Sequence, residues 1–143
     1  MEELIQSLRA GNYSCVVKNG NKTYTFSQRG VADLYDMIKN KSGILKGASV
    51  ADKVVGKAAA ALMILGGISE LYAEVISASA LDLLCNADIQ VDFGCVVPFI
   101  ENRDKTDWCP LEKMCCDEIS ADSIFPRITE FIEKRKEIQI NNR

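Results

Sequence analysis

Two segments of the sequence place charged or nucleophilic side chains at the predicted starts of helices. The first is Asp52-Lys53, with Lys57 one helical turn later, after a short apolar strand predicted over 48–51. Because Asp is a preferred N-cap residue, we predict that Asp52 begins a helix over 54–65. Lys53 and Lys57 would then share one face beside free backbone N–H groups, which suits a phosphate or carboxylate. The alternative is an ordinary N-cap followed by two solvated lysines.

The second segment follows the last predicted strand and ends in a short helix over 110–116. Pro110 fits the first helical position, which makes Cys109 the N-cap residue. A thiol there lies at the positive end of the helix dipole, which favours the thiolate, so Cys109 is a candidate nucleophile. A buried, unreactive thiol is the alternative. The nearby side chains that could contact an anionic ligand are Asn102, Arg103, Asp104 and Lys113.

The chain contains no histidine, and this excludes several kinds of catalysis. Ser-His-Asp and Cys-His mechanisms and imidazole ligation of metals all need that side chain. Six cysteines are present, but none forms a C-x-x-C pair. We expect reduced thiols, with Cys15, Cys85 and Cys95 in the core, and we expect no metal site and no cofactor.

Composition and charge limit the class of protein. The chain has 143 residues, 48% of them hydrophobic and 26% charged, as in one soluble domain. A net charge of −3, with basic residues clustered only at Lys134–Lys136, does not suit nucleic acid. Glu2 and Glu3 are unlike the start of a signal peptide, and the longest apolar stretch, 58–67, is too short to span a bilayer. We therefore expect a cytoplasmic protein without nucleic-acid or membrane partners.

The hydrophobic pattern predicts an α/β fold. A helix over 2–10 precedes two strands, 13–17 and 23–26, and Asn19-Gly20 between them is a strong hairpin signal. The later predicted elements alternate: helix 30–39, strand 48–51, helix 54–65, strand 69–76, helix 77–84, strand 89–93 (which 96–97 continues or follows), then helices 110–116 and 124–136. This order predicts a three-layer α/β/α sandwich with a mixed sheet of about five strands. We expect one domain over 1–143, with its core at about 13–116 and an amphipathic C-terminal helix over 121–137.

Two stretches resemble the signatures of a known family. They are VADKVVGKAAA over 50–60 and NRDKTDWCPLEK over 102–113. They are similar to domain of unknown function 1893, a prokaryotic family placed in the cytidine-deaminase-like fold superfamily, and the similarity runs from about 13 to 113. The resemblance implies that fold and a site at two helix starts, but no reaction.

The zinc ligands of that superfamily are missing from this sequence. Zinc deaminases carry H-x-E at the first helix start and P-C-x-x-C at the second. Here those positions fall at 51–55 and 76–80, which hold no imidazole, thiolate or glutamate. Because catalytic zinc needs three protein ligands, we expect a deaminase-like domain that is not a zinc-dependent deaminase.

The sequence leaves three functions open. The leading hypothesis is a binding module for a small anionic ligand, such as a nucleotide or a related metabolite. The second is a metal-free enzyme that uses Cys109 as the nucleophile in thiol or acyl transfer. The third is a non-catalytic scaffold or subunit, for example a homodimer. The residues expected to line the ligand site are Asp52, Lys53, Lys57, Asn102, Arg103, Asp104, Cys109 and Lys113.

Overall fold

The computed structural model describes residues 1–28, 30–102 and 104–141, and side chains as far as residue 136. Five strands form one mixed sheet, with helices on both of its faces. This confirms the mixed α/β class and the number of strands. The elements are α1 (Glu2–Ala10), β1 (Cys15–Asn19), β2 (Lys22–Phe26), α2 (Ala32–Lys39), β3 (Ser49–Val55), α3 (Lys57–Gly66), β4 (Glu70–Ser77), α4 (Ala78–Cys85), β5 (Gln90–Val97), α5 (Pro110–Cys115) and α6 (Ala121–Asn141).

The strand order β2-β1-β3-β4-β5 brings several chain segments to one edge of the sheet. β1 is antiparallel to β2 and β3, whereas β3, β4 and β5 run parallel. The carboxyl ends of β3, β4 and β5 therefore share this edge with the start of β1. The predicted hairpin is confirmed, since Asn19 pairs with Lys22 across a turn in which Gly20 has a positive φ of 61°.

The two faces of the sheet are covered unequally. On one face, Val16 and Ala51 pack against Leu4 and Leu8 of α1. The other face carries the main core, to which α2, α3, α4 and α6 contribute. Every residue of α3 from Lys57 to Met63 is buried, as expected for a helix that is apolar on all sides. No helix in the described residues is both long and apolar enough to cross a membrane.

The start of α3 differs from the prediction. Asp52 and Lys53 lie inside β3, which continues to Val55, and Gly56 is the N-cap of α3. Pairing with β1 and β4 holds this backbone extended, so the sheet outweighs the local preference of Asp for a helix start. The prediction of Asp52 as an N-cap is wrong, and Lys53 and Lys57 do not share a helix face.

β5 runs from Gln90 to Val97, so residues 96–97 continue the strand, which is one of the two predicted alternatives, and Gly94 does not interrupt it. A Cβ at that position would lie 2.8 Å from the carbonyl oxygen of Glu74, so glycine permits the close approach of β5 to β4. The burial of Cys15 is confirmed, but Cys85 and Cys95 are exposed and their predicted burial is wrong. The reason for Cys95 is that β5 is an edge strand with few contacts on its outer side.

Candidate functional site

The candidate site lies where β3 and β4 end and α3 and α4 begin. Parallel pairing places Val55 beside Ile76, so the N-caps of the two helices, Gly56 and Ser77, follow at neighbouring positions. Each helix start presents backbone N–H groups that have no partner within the helix, together with the positive end of the helix dipole. This corner of the fold therefore favours a negative charge.

The side chain of Glu112 occupies this corner and is only 3% exposed. Its Oε1 accepts hydrogen bonds from the backbone N–H of Lys57 at 2.9 Å and from the hydroxyls of Ser77 at 3.2 Å and Ser79 at 3.4 Å. Its Oε2 accepts from the backbone N–H of Ile100 at 2.9 Å. One carboxylate thus joins the starts of both helices to the segment that follows β5, and the protein itself supplies the negative charge.

The position of Glu112 within α5 explains why its side chain can reach so far. Cys109 is the N-cap of α5 and Pro110 follows it, both as predicted, which makes Glu112 the third helical residue. A Glu at that position usually turns back to the N–H of its own N-cap residue. Here the N–H of Cys109 donates to the carbonyl of Ile100 at 2.7 Å, so Glu112 is free to bind elsewhere.

Gly56 gives the carboxylate its space. A Cβ at this position would lie 3.0 Å from Oε2 of Glu112 and 3.2 Å from Cγ1 of Ile100. The backbone of Gly56 has φ −94° and ψ −179°, an extended conformation that any residue adopts. Crowding, not backbone conformation, is therefore what favours glycine here.

The two predicted lysines have separate partners. Lys57 is 7% exposed, and its Nζ donates to the carbonyl of Cys116 at 3.1 Å. Lys53 is half-buried, and its Nζ donates to the side-chain oxygen of Asn12 at 2.8 Å, next to the start of β1. Both lie at the carboxyl edge of the sheet, but each ammonium group binds a different chain segment.

Asp52 is a buried carboxyl within the sheet, directly opposite Cys15 in the pairing of β1 with β3. Its Oδ1 accepts a hydrogen bond from the N–H of Val54 at 3.3 Å. Burial raises the pKa of Asp52 to about 7. Burial, and secondarily the charge of Asp52, raises the pKa of the Cys15 thiol.

The loop between β5 and α5 is held by its own contacts. The side-chain oxygen of Asn102 accepts from the N–H of Thr106 at 3.0 Å, and the N–H of Asn102 donates to the carbonyl of Asp107 at 2.9 Å. The ring of Trp108 stacks on Phe99 with a centroid distance of 4.7 Å. Asn102 and Trp108 therefore stabilise the loop itself.

The remaining predicted site residues have different surroundings. Lys113 forms an exposed ion pair with Asp107 at 2.6 Å, and this hydrogen bond lowers the pKa of Asp107. Asp104 is exposed, and Arg103 lies outside the described residues. Cys109 is half-buried and packs against the main core. Among the described residues, none of these side chains forms a hydrogen bond or an ion pair with Lys53, whose Nζ donates to Asn12 instead.

Glu112 is the residue that sequence reasoning missed. It stands within the second motif, at the third position of a helix that begins with Cys-Pro. That position marks a side chain able to bind helix-start N–H groups, but it does not say which helix.

Among the described residues, no group of three or more His, Cys, Asp or Glu side chains could hold a metal ion.

An open cavity of about 290 Å³ lies near the amino ends of β3 and β4, at the other end of these strands from Glu112. Lys18, Ser49 and Glu70 are among its lining residues. The hydroxyl of Ser49 donates to Glu70 at 2.7 Å, so these polar groups already bind each other. This cavity shares no residue with the Glu112 corner.

Fold and site together define a mixed α/β domain whose adjoining helix starts enclose a carboxylate from the same chain. The family model described as Domain of unknown function (DUF1893) matches residues 3–132, so the chain belongs to that family. A crystal structure of a DUF1893 family protein from Thermotoga maritima, at 2.70 Å resolution, has a TM-score of 0.81 to this chain at 24% sequence identity. The match covers 91% of this chain and 90% of that one, and it shows a shared fold. No curated protein matches the chain.

Proposed function

We propose that this chain is a metal-free, deaminase-like domain that serves as a non-catalytic scaffold or subunit. The supporting observation is the carboxylate of Glu112, which accepts hydrogen bonds from four groups at and beside the two helix starts. Zinc deaminases hold their metal at two such helix starts. In this chain, an internal carboxylate binds one N–H group at the start of α3 and two hydroxyls at the start of α4, and its charge lies at the positive ends of both helices, where a ligand would otherwise be attracted.

The environment of Glu112 favours a structural role over a catalytic one. A general acid or base must come within hydrogen-bond reach of a substrate, directly or through one water. Glu112 is 3% exposed, and both of its oxygens already accept hydrogen bonds. Moving it toward a substrate would leave buried donors without an acceptor, which costs about 1–3 kcal/mol for each donor.

Chemical rescue tests this proposal directly. Glu112→Ala removes a CH₂–COO⁻ group, whose heavy atoms are those of acetate. We expect acetate to raise the melting temperature of the variant above its value in chloride at equal ionic strength, because only acetate can refill the anion site. The melting temperature of the wild-type protein should be the same in acetate, phosphate and chloride.

The matched control is Glu101→Ala, which removes an exposed carboxylate from the neighbouring loop. Its melting temperature should not depend on acetate. Equal responses of the Glu112→Ala and Glu101→Ala variants would show that acetate acts on the whole protein rather than at the helix starts, and would contradict an enclosed anion site.

Binding of a small anionic ligand, such as a nucleotide or related metabolite, is the second candidate. It is supported by the position of Lys53, a half-buried residue whose ammonium group lies at the same edge of the sheet as the loop that carries Asn102. Stabilisation of the wild-type protein by nucleotides or sugar phosphates, and its loss in Lys53→Ala, would favour this candidate over the scaffold. The matched control is Lys18→Ala, because Lys18 lies beside the amino end of β3, far from the carboxyl ends of the parallel strands.

A further inference from the structure

The outer edge of β5 is open in the described part of the chain. β5 pairs with β4 from Gln90 beside Glu70 to Val97 beside Ser77, at every position except Gly94. It is the last strand of the sheet, and most of its eight residues are exposed. Backbone N–H and C=O groups on such an edge can pair with another strand.

β5 lacks the features that usually protect an edge strand. No Lys, Arg or Pro occurs from Gln90 to Val97, and Asp92 is the only charged residue. Phe93 is 40% exposed and Val96 is 39% exposed. Proteins commonly protect edges with short strands, lysine or proline, so a long, mostly apolar edge with a single charge is suited to strand addition.

The pairing of β5 with β4 shows which side chains share a face. Val91 lies beside Leu71 and Phe93 lies beside Ala73. Both of those β4 residues belong to the main core. After Gly94 the alternation shifts by one residue, because Val96 lies beside Ile76, which also belongs to the main core, whereas Val75 beside Cys95 does not. The β5 residues beside main-core residues of β4 are therefore Val91, Phe93 and Val96, all of them apolar.

The middle of β5 is complementary to itself. When two copies of a strand pair antiparallel, the two-fold axis is perpendicular to the sheet, so the main-core faces of both copies lie on the same side. With the axis at Phe93, the two Phe93 side chains meet on that face. A register centred on Phe93 also places Asp92 opposite Gly94, so that no like charges face each other.

We propose that β5 pairs antiparallel with β5 of a second copy of this chain, so that the two sheets form one continuous sheet. The inference rests on the proposed scaffold function and names its partner. A typical specific interface buries about 800 Å² on each partner, and one pair of strands lies at the low end of that range. We therefore expect a dimer whose dissociation constant is micromolar rather than nanomolar.

The test measures the association of the full chain by sedimentation equilibrium over a range of concentrations. Phe93→Lys adds a charge in the middle of the proposed interface, and we expect it to raise the dissociation constant by about tenfold or more. The matched control is Thr25→Lys, which adds the same charge to an exposed position of β2, at the other edge of the sheet. It should leave the dissociation constant unchanged.

A second measurement needs no variant. Cys95 lies in β5 and Cys85 lies in α4, and both thiols are exposed in the single chain. We expect alkylation of Cys95 to slow as the protein concentration rises, while alkylation of Cys85 does not change. This readout decides the question if Phe93→Lys fails to fold.

Two results would overturn the dimer. One is a wild-type chain that stays monomeric throughout the concentration range, which leaves β5 free or bound to a different partner. The other is a dimer that Phe93→Lys does not weaken and in which Cys95 stays reactive. Acetate rescue of Glu112→Ala reports on the helix starts and not on association, so the site proposal and the dimer can fail separately.

Discussion

Two carboxylic acids, Glu112 and Asp52, are nearly excluded from water, but the protein accommodates them differently. Glu112 is 3% exposed and Asp52 is 8% exposed. Glu112 receives hydrogen bonds from three donors at the helix starts and from the backbone N–H of Ile100 beside them. Within β3, Asp52 accepts a backbone hydrogen bond from Val54 at 3.3 Å, and burial, which outweighs the hydrogen bonds to its carboxylate, raises its pKa to about 7.

The difference comes from the secondary structure around each side chain. The first N–H groups of a helix have no partner within it, so they can bind a carboxylate. The N–H groups of a strand inside a sheet donate to neighbouring strands, and few remain for a side chain. A carboxylate is therefore well accommodated at a helix start, whereas a strand at the same depth favours the neutral acid.

The largest expected effect is that of Glu112→Ala on stability. The substitution leaves the N–H groups of Lys57 and Ile100 and the hydroxyl of Ser77 without this acceptor. We expect the free energy of unfolding, measured with urea, to fall by about 3–5 kcal/mol. Glu112→Gln should cost less, because one oxygen remains, although its amide would place a second donor against the N–H of Ile100.

Glu101→Ala is again the control, since that carboxylate is exposed and should contribute little to stability. A loss in Glu112→Ala no larger than the loss in Glu101→Ala would mean that the helix starts do not need an internal acceptor. The contrast between the two buried acids would then have no energetic basis.

The next largest effect concerns the pH dependence of Asp52. Its folded-state pKa of about 7 is above the value of about 3.9 for an unfolded chain, so folding favours the neutral acid. The stabilisation is complete below about pH 4 and is lost as the pH rises through about 7. Over that range, we expect the wild-type protein to lose about 2–4 kcal/mol relative to Asp52→Asn, which cannot titrate.

Urea unfolding of both proteins at several pH values measures this difference. Asp33→Asn is a useful companion, because burial and the charge of Asp36 raise the pKa of Asp33 to a smaller extent. Parallel stability profiles for the wild-type protein and Asp52→Asn would show that Asp52 titrates alike in the folded and unfolded chains. Asp52 would then not differ from a solvated carboxylate.

Much of the fold was predictable, because hydrophobic periodicity reports directly on local structure. The hairpin at Asn19-Gly20 and the helices predicted over 54–65 and 77–84 follow from short-range patterns, and the structure confirms them as the β1–β2 hairpin, α3 and α4, although α3 begins only at Lys57. Asp52 was misassigned for the same reason. Its local preference is for a helix start, whereas its conformation is set by pairing with Cys15 and Ala73, which are distant in sequence.

The contents of the site were less predictable than its location. The sequence predicted that residues of both motifs would line one site, and Glu112 of the second motif does accept a hydrogen bond from the N–H of Lys57 in the first. Glu112 and Lys57 are separated by 55 positions, and no local pattern pairs them. The hypothesis of a small anionic ligand at this edge stays a prediction.

The smallest of these effects concerns Gly56 and tests whether Glu112 is held rigidly. A Cβ at this position would lie 3.0 Å from Oε2 of Glu112, and that oxygen is fixed by the N–H of Ile100. We expect Gly56→Ala to lower the free energy of unfolding by about 1–2 kcal/mol, partly through crowding and partly because Ala is a poorer N-cap residue than Gly. In a Glu112→Ala background, the crowding with the carboxylate disappears, whereas the crowding with Ile100 and the capping part remain. A double-mutant cycle therefore measures how firmly the carboxylate is held, and strictly additive losses would show that Glu112 moves aside without cost.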